Sequence, residues 1–261
     1  MEIYSIHQWL LFFYLYCFLG WIWETSYVSI KDHKFVNRGF LHGPFLPIYG
    51  SGAIIVLLAI IPFKSSPVLV FIFGLIAATV LEYFTGMAME NLYHVRYWDY
   101  SKDKFNLNGY ICLKSSITWG VFSLLLIYVV QPPIQDLVYK IPNNLSEILA
   151  FILTVGITVD SVQSFNEAMD LKQLLIKYTQ NNEEILRIQS RLESIARLAN
   201  QGVKELKEKA ELTKKLGEYK IMKELSKASN SEYYKSLKIL RRNPSAITKK
   251  YAKALEEILK K

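Results

Sequence analysis

Cysteine and histidine are scarce in this chain of 261 residues, which contains two cysteines and four histidines. Cys17 and Cys112 lie far apart in sequence, which excludes a disulfide framework and the closely spaced ligand pairs of a zinc site. The sequence contains no G-x-x-x-x-G-K-[ST] loop for binding ATP and no G-x-S-x-G nucleophile motif. We therefore expect no resident metal ion or organic cofactor.

Charge is also scarce in the first two-thirds of the chain. Residues 1–168 hold 9 Lys or Arg and 11 Asp or Glu, whereas residues 169–261 hold 22 and 12. The net charge of +8 therefore comes entirely from the second part, while Trp and Phe are concentrated in the first. This division predicts two domains, a transmembrane helix bundle at 1–168 and a basic cytoplasmic helical tail at 169–261.

Long apolar runs are abundant in the first part. A helix needs roughly 20 apolar residues to cross a bilayer core, because unpaired backbone groups cannot be left in hydrocarbon. Five runs approach this length, and we expect Pro132 and Pro133 to end the fourth. The predicted spans are 6–30, 45–63, 67–93, 115–130 and 145–165. The predicted fold class is all-α, a polytopic membrane bundle of about five transmembrane helices without a removable signal peptide.

The distribution of Lys and Arg predicts the orientation of the bundle. Loops 31–43 and 93–114 carry three and four basic residues, and they fall on the same side as the 22 in the tail. The loops on the opposite side carry only Lys64 and Lys140. Because basic loops stay in the cytoplasm, we expect a multi-pass protein of the cell membrane with its N-terminus outside and its C-terminus cytoplasmic.

The tail has helical periodicity with several interruptions. Helices are predicted at 170–200 and 203–227, and a third helix follows 242–245. One face of this last helix would carry Ile247, Tyr251, Leu255 and Ile258. Basic helices beside a cytoplasmic leaflet attract anionic lipid headgroups by about 1 kcal/mol per nearby Lys or Arg. The alternative is a solvated hairpin that its lysines keep soluble, and no nucleic-acid partner is expected because few aromatic residues accompany the basic ones.

Polar side chains inside the predicted spans are costly, so they mark candidate functional positions. Given the predicted orientation, they lie at the midplane or on its cytoplasmic side, and the outer half of the bundle is apolar. This pattern predicts a polar cavity that is closed to the outside and open to the cytoplasm. The candidate ligand-binding residues are Glu24, Arg38, His42, Tyr49, Glu82, Glu90, Arg96, Asp99 and Asp160.

Two loops at the cytoplasmic ends of the spans hold several of these candidates. The backbone of 37–44 is irregular at membrane depth, which is tolerated only where it is buried in protein or lines a cavity. The tyrosines of loop 93–111 suit the membrane interface, whereas Asp99 in the same loop needs a partner. We favour a network of carboxylates with Arg38, Arg96 and Lys114 at the cytoplasmic mouth. The alternative is that such pairs only fix the loops to the helix ends.

Several blocks within residues 9–165 form a recognisable pattern. They are Gly20–Glu24, Asn37–Gly50, Leu81–Tyr83, Glu90, Trp98–Ser101, Phe105–Leu113 and Trp119–Gly120. These blocks resemble the bacterial membrane family of putative ABC-transporter type IV proteins. Lys114 departs from the pattern of the family, in which we would expect proline. The resemblance implies a permease, and since this chain has no ATP-binding motif, any ATPase would be a separate subunit.

Three functions are compatible with these features. The first is a transport component whose cavity holds a polar or charged small molecule. The second is an intramembrane enzyme acting on a lipid or lipid-linked substrate, with Glu82 or Glu90 as the base. His42 or His94 would then assist the base or hold a metal ion, although the Glu90–His94 spacing alone is a weak signal. The third is a non-catalytic membrane adaptor that acts through its basic tail.

The predicted orientation is tested by reporter fusions. We expect a reporter placed after Lys261 to be cytoplasmic and one inserted at Lys64 to be external, because Lys and Arg favour the cytoplasmic side. A reporter active only in the cytoplasm and one active only outside should give opposite results at the two sites. Location of both sites on the same side of the membrane contradicts the five-span topology.

Overall fold

Helices dominate the part of the chain that the structure describes. The structure is a computed structural model that describes residues 4–197, 211–220 and 231–259. Its helices are α1 (Ile6–Lys31), α2 (Pro47–Ile60), α3 (Pro67–Tyr93), α4 (Leu113–Leu125), α5 (Gln131–Lys140), α6 (Asn143–Arg197), α7 (211–220), α8 (Ser231–Arg242) and α9 (Ala252–Leu259). Between α3 and α4 lies a short antiparallel hairpin of β1 (Asn106–Leu107) and β2 (Ile111–Cys112). The prediction of an all-α fold is confirmed.

The apolar helices have the lengths that membrane crossing requires. Within the described part of the chain, four helical stretches are long and apolar enough to span a bilayer, and a fifth is apolar but shorter. The four are Ile6–Lys31, Pro67–Tyr93, Leu113–Lys140 and Asn143–Leu192, and the fifth is Pro47–Phe63. Large apolar side chains such as Trp23, Phe84 and Phe151 are exposed on these helices. Apolar side chains exposed on this scale are stable where they face lipid but not where they face water. The first part of the chain is therefore a membrane helix bundle.

The fourth predicted span does not end at its prolines. A five-residue π-helical turn, Leu126–Val130, joins α4 to α5, and Pro132 and Pro133 lie in the first turn of α5. Proline lacks an N–H group and clashes with the preceding turn of a regular α-helix. The wider π turn changes the hydrogen-bond register just before the prolines, so the helix continues to Lys140. The prediction that these prolines stop the helix was wrong.

The fifth predicted span continues without a break into the first tail helix. Together they form α6, whose 55 residues correspond to a length of about 82 Å, against about 30 Å for a bilayer core. The described residues form two compact units. One comprises Met1–Asn166 with Ile239–Ile247, and the other comprises Glu167–Lys238 with Thr248–Lys261.

The rest of the tail agrees only in part with the predicted helices. Part of the predicted helix 203–227 is helical at 211–220, and its remainder and the predicted stop at 200–202 lie outside the described residues. The last predicted helix is α9, which buries Leu255 and Ile258. Ile247 is not on its face, because this residue precedes the helix and forms a β-bridge with Arg96.

Two apolar clusters hold the helices of the first unit together. The first cluster joins α1, α2, α5 and α6 through Leu11, Phe12, Tyr16, Ala53, Leu57, Val138 and Ala150. The second joins α2 and α3 through Val56, Ile60, Val70 and Ala78. Leu126 and Ile127 of the π turn pack against both clusters, so the turn connects the two halves of the core.

Gly50 permits the close contact between α1 and α2. A Cβ atom at this position would lie 2.4 Å from Cys17 Sγ and 2.7 Å from the carbonyl oxygen of Phe13. Backbone atoms cannot rotate away, so the helices would have to separate. Small residues allow such close packing where no hydrophobic effect drives helices together.

We expect Gly50→Ala to destabilise the bundle by about 1–3 kcal/mol, the usual cost of overpacking. The matched control is Gly156→Ala in α6, where an added Cβ would meet nothing within 4 Å. That change should be neutral or stabilising, since alanine is a better helix former than glycine. Thermal unfolding of the purified variants measures both effects. A Gly50→Ala protein as stable as the Gly156→Ala protein contradicts this account of the α1–α2 contact.

Candidate functional site

The loop between α1 and α2 folds inward along α1, and we call residues 32–46 the inserted loop. Four positions of α1, spaced by four residues on one face, provide hydrogen-bond partners for it. The side chains of Ser29 and Thr25 accept hydrogen bonds from the backbone N–H groups of Val36 at 3.0 Å and Arg38 at 3.2 Å. The Trp21 indole donates to the Asn37 side chain at 2.6 Å, and the Cys17 carbonyl accepts from the N–H of Leu46 at 3.0 Å. Irregular backbone in an apolar setting needs such partners. Gly39 and Leu41 are buried and the other residues of 37–44 are partly exposed, so this backbone packs against protein, which is one of the two settings that the sequence predicted.

Asp160 of α6 holds the tip of the inserted loop. Its carboxylate accepts hydrogen bonds from the backbone N–H of His42 at 2.9 Å and of Gly43 at 2.7 Å. The ring Nδ1 of His42 lies 2.8 Å from the same carboxylate, and Ser164 donates to it at 3.3 Å. An intramembrane carboxylate is therefore satisfied by fixed donors, and its observed contacts position a loop.

Arg38 joins the inserted loop to the wall of the bundle. Its Nε lies 3.7 Å from a carboxylate oxygen of Glu24, and the other oxygen of Glu24 accepts a 2.7 Å hydrogen bond from Tyr49. The guanidinium also donates to the carbonyl of Tyr97 at 3.3 Å, which links the inserted loop to the 94–112 loop. Arg38 thus connects three segments of the chain at one end of the bundle, which we call the loop end.

A segment of the tail also belongs to the loop end. Within the docked segment (Ile239–Ile247), Asn243 is buried, accepts a 2.8 Å bond from Arg38 and donates a 2.9 Å bond to the carbonyl of Gly39. Arg242 donates to the carbonyl of Phe40 at 3.2 Å. The backbones of Ile247 and Arg96 exchange two hydrogen bonds of 2.7 and 2.9 Å. The docked segment therefore fixes both loops to each other.

Arg96 organises the loop between α3 and α4. Its Nε donates to Glu90 at 2.6 Å, and its Nη1 donates to Asp99 at 3.1 Å and to the carbonyl of Asn108 at 2.8 Å. Burial raises the pKa of Asp99, but hydrogen bonds from Ser101 and Arg96 outweigh it, so the pKa is lowered and the carboxylate stays charged. Asp99 therefore has the partner that its position requires.

Gly109 allows the hairpin to close over Arg96. Its φ of +77° is strained for other residues, and an added Cβ would lie 2.6 Å from Arg96 Nη1 and 2.4 Å from Ser101 Oγ. Two tyrosines of this loop, one before the hairpin and one in its turn, bind carboxylates of α3. Tyr110 donates to Glu90 at 2.6 Å, and Tyr100 donates to Glu82 at 3.2 Å. Each of these two tyrosines therefore satisfies a carboxylate of α3, and the interfacial position of the tyrosines in this loop stays a prediction.

Glu82 lies near the middle of α3 and is 5% exposed. Trp119 of α4 donates its indole N–H to one carboxylate oxygen at 2.9 Å, and Tyr100 donates to the other. Burial, followed by the nearby Glu82 charge, raises the pKa of Tyr100 well above its usual value, so the tyrosine remains a hydrogen-bond donor. Both oxygens of Glu82 are thus held by neutral groups.

A cavity of about 340 Å³ lies between α1, α2, α3 and α4 and reaches Glu82. Its wall is mainly apolar, whereas the sequence predicted a polar cavity. The lining side chains that carry a polar group are Tyr16, Trp23, Tyr49, Glu82, Trp119 and Ser123. Tyr16 donates to Gln131, a buried side chain of α5, beside the cavity wall. The size matches the lower end of small-molecule pockets.

The structure distributes the predicted site residues over separate groups. Of the nine candidates, Tyr49 and Glu82 line the cavity. Glu24 accepts a hydrogen bond from Tyr49, and Arg38 lies against Glu24. Glu90, Arg96 and Asp99 form their own network, as do His42 and Asp160. The favoured single network of carboxylates and cations is therefore divided, and the ligand-binding role of these residues stays a prediction.

Several residues of these groups were not predicted. Trp119 and Tyr100 hold Glu82, and Asn243 holds the inserted loop. Trp119 lies on an apolar helix, and nothing in the sequence around it indicates a polar partner for its indole. Asn243 is remote in sequence from the inserted loop that it binds. Within the described residues, no three His, Cys, Asp or Glu side chains converge in a way that could hold a metal ion.

The contribution of Asp160 is tested by substitution. Asp160→Ala leaves two backbone N–H groups without an acceptor, and each unsatisfied buried donor costs about 1–3 kcal/mol. We expect a loss of about 2–4 kcal/mol in thermal or denaturant unfolding, with Asp160→Asn intermediate because its amide has one accepting oxygen. The adjacent Val159, which is exposed, provides the control Val159→Ala. Equal stability of Asp160→Ala and Val159→Ala contradicts the role of Asp160 as the anchor of the loop.

Comparison with known proteins supports the same assignment for the first part of the chain. The family model described as Putative ABC-transporter type IV matches residues 11–165, which is more than half of the chain. The matched region includes the inserted loop, the hairpin, Glu82 and the cavity wall. Comparisons with curated proteins and with solved structures gave no match. The chain is a membrane protein that belongs to the putative ABC-transporter type IV family.

Proposed function

We propose that the chain is the membrane permease subunit of a transporter and that its cavity holds a small molecule during transport. Membership of an ABC-transporter family supports this proposal, and the absence of a G-x-x-x-x-G-K-[ST] loop from the sequence calls for a separate ATPase subunit. The loop end would face the cytoplasm, where an ATPase can reach it. The N-terminus would then lie outside and the basic tail would meet anionic lipid headgroups of the inner leaflet.

The observation that carries the proposal is the cavity beside Glu82. A bundle that served only as an anchor would have no use for a buried carboxylate, because such a group is costly in an apolar environment. Here the carboxylate is fixed by Trp119 and Tyr100, and it lies at the wall of a space large enough for a small molecule. A mainly apolar wall with a few placed polar groups is the usual composition of a ligand site.

Contacts of the docked segment favour a second candidate function, that of an adaptor acting through its tail. Asn243 binds Arg38, Arg38 lies against Glu24, and Glu24 accepts a hydrogen bond from the cavity residue Tyr49. Movement of the tail would therefore be transmitted to the cavity wall. In the adaptor, this pathway would serve a protein partner and the cavity would hold no ligand.

The permease proposal is tested by filling the cavity. An added Cβ at Gly52 makes only ordinary contact, 3.7 Å from Leu81, so Gly52→Leu extends a side chain into the cavity. Gly156→Leu is the matched control, because the space beside Gly156 is open. Native mass spectrometry of the full-length protein, purified from its own membranes, detects small molecules that remain bound.

We expect a bound small molecule on the wild-type protein and on the Gly156→Leu variant, with at least a tenfold lower bound fraction on Gly52→Leu. The molecule should be recovered unchanged after incubation with the protein. Its conversion to a product would contradict the permease proposal in favour of the intramembrane enzyme. Equal occupancy of the two variants, or an empty wild-type protein, contradicts the assignment of the cavity as a ligand site.

A further inference from the structure

Glu82 differs from the other candidate carboxylates in its partners. Glu24 has Arg38 at 3.7 Å, Glu90 has Arg96 at 2.6 Å, and Asp160 has His42 at 2.8 Å. For Glu82, the described part of the chain provides only neutral hydrogen-bond donors and no ion pair. These donors supply no countercharge for the buried carboxylate. A positively charged ligand in the cavity would supply it.

Aromatic rings surround the same space. The wall of the cavity contains Trp23, Tyr49, Trp119 and Phe122, and Trp119 contacts Glu82. The Tyr49 and Trp119 rings lie 5.6 Å apart, the Trp119 and Phe122 rings 5.9 Å apart, and Phe122 lies 5.6 Å from Trp23 in an edge-to-face arrangement. The face of an aromatic ring is electron-rich and its edge is electron-poor, so a cation is attracted to the ring faces. Aromatic cages with a nearby carboxylate bind ammonium groups through cation–π attraction.

Among the described residues that line the cavity, none is Lys, Arg or His. An anionic ligand would therefore meet the Glu82 carboxylate without any compensating positive side chain on the wall. Like charges at close range in a medium of low dielectric constant repel strongly, so anions are disfavoured as ligands of this cavity. The rest of the wall is apolar and favours a ligand with an apolar body.

The rim of the cavity contains side chains that are exposed on the surface of the bundle. Leu19 and Trp23 of α1 are 39% and 55% exposed, and Leu125 of α4 is 46% exposed. These residues belong to segments that are long and apolar enough to lie in a bilayer. A ligand that partitions into lipid can therefore reach the cavity sideways between α1 and α4.

We propose that the cavity binds a small amphipathic organic cation, an ammonium compound with an apolar group, whose charged nitrogen lies between Glu82 and the aromatic rings. This inference rests on the proposed function of the cavity as a ligand site and names the chemical class of its ligand. The apolar group lies along the wall towards Val56 and Leu126. Glu82 supplies the ionic contact and Trp23 contributes a ring.

The inference is tested with phenyltrimethylammonium and its uncharged isostere tert-butylbenzene. These probes have nearly the same shape and differ in charge. The full-length protein is studied in a maltoside detergent, because phosphatidylcholine would itself supply a competing quaternary ammonium group. Binding is measured by calorimetry and by the fluorescence of the cavity tryptophans.

We expect the wild-type protein to bind the cation at least tenfold more tightly than the isostere. Glu82→Gln should remove most of this preference while it keeps the affinity for the isostere and the melting temperature. The glutamine oxygen can accept the Trp119 bond, and its NH₂ group can donate to the Tyr100 hydroxyl. Trp23→Leu should weaken binding of the cation several-fold. Glu147→Gln, which changes an exposed carboxylate outside the cavity, should change neither affinity.

Equal affinity of the wild-type protein for the two probes overturns the inference, as does undiminished cation binding by Glu82→Gln. A naturally bound molecule that is neutral or anionic and is displaced by Gly52→Leu overturns the inference as well, although the proposed permease function survives. Absence of any bound molecule, together with failure of both probes to bind, overturns the inference and the proposed function together.

Discussion

The first unit of the structure depends on one constraint, which is that the irregular backbone of the inserted loop must be hydrogen-bonded inside an apolar bundle. The partners come from three directions. A row of side-chain and carbonyl groups on α1 binds one side, Asp160 of α6 binds the tip, and Asn243 of the docked segment binds Gly39. Each unsatisfied buried group costs several kcal/mol in hydrocarbon, so these contacts determine how the helices and loops are arranged.

This arrangement explains where the charges lie. Arg38 and Arg96 are drawn to the loop end because each has carbonyl groups to satisfy there in addition to a carboxylate. Their positions leave Glu82, deeper in α3, with neutral donors from Trp119 and Tyr100. Among the candidate carboxylates of the described residues, Glu82 is the one without a nearby Arg, Lys or His, and it lies beside the cavity. In our account the same geometry that secures the loops creates the electrostatic requirement for a ligand.

Much of the bundle could be predicted from the sequence, since apolar runs of sufficient length define spans and Arg or Lys near a carboxylate suggests a pair. Contacts of Arg38 and Arg96 with carboxylates follow from this reasoning, because both arginines lie in loops that adjoin the helix ends where Glu24 and Glu90 stand. Other features depend on contacts that are remote in sequence. The bond of Asn243 to Gly39 joins residues 204 positions apart, and no local pattern marks it. The passage of a helix through Pro132 and Pro133 depends on a π turn that the sequence does not indicate. The mainly apolar wall of the cavity arises because helices turn small and aromatic residues inward, which hydropathy along the chain does not show.

An experimental structure of the full-length protein, purified from its own membranes, is the measurement that tests the central claim most directly. The account predicts compact density in the cavity, in contact with Glu82, Trp119 and Trp23, with the shape of a small molecule. It also predicts the inserted loop folded against α1 with the docked segment in place. A cavity collapsed by rotation of Trp119, or filled by the acyl chain of a lipid with no group near Glu82, would contradict the claim that this bundle carries a ligand.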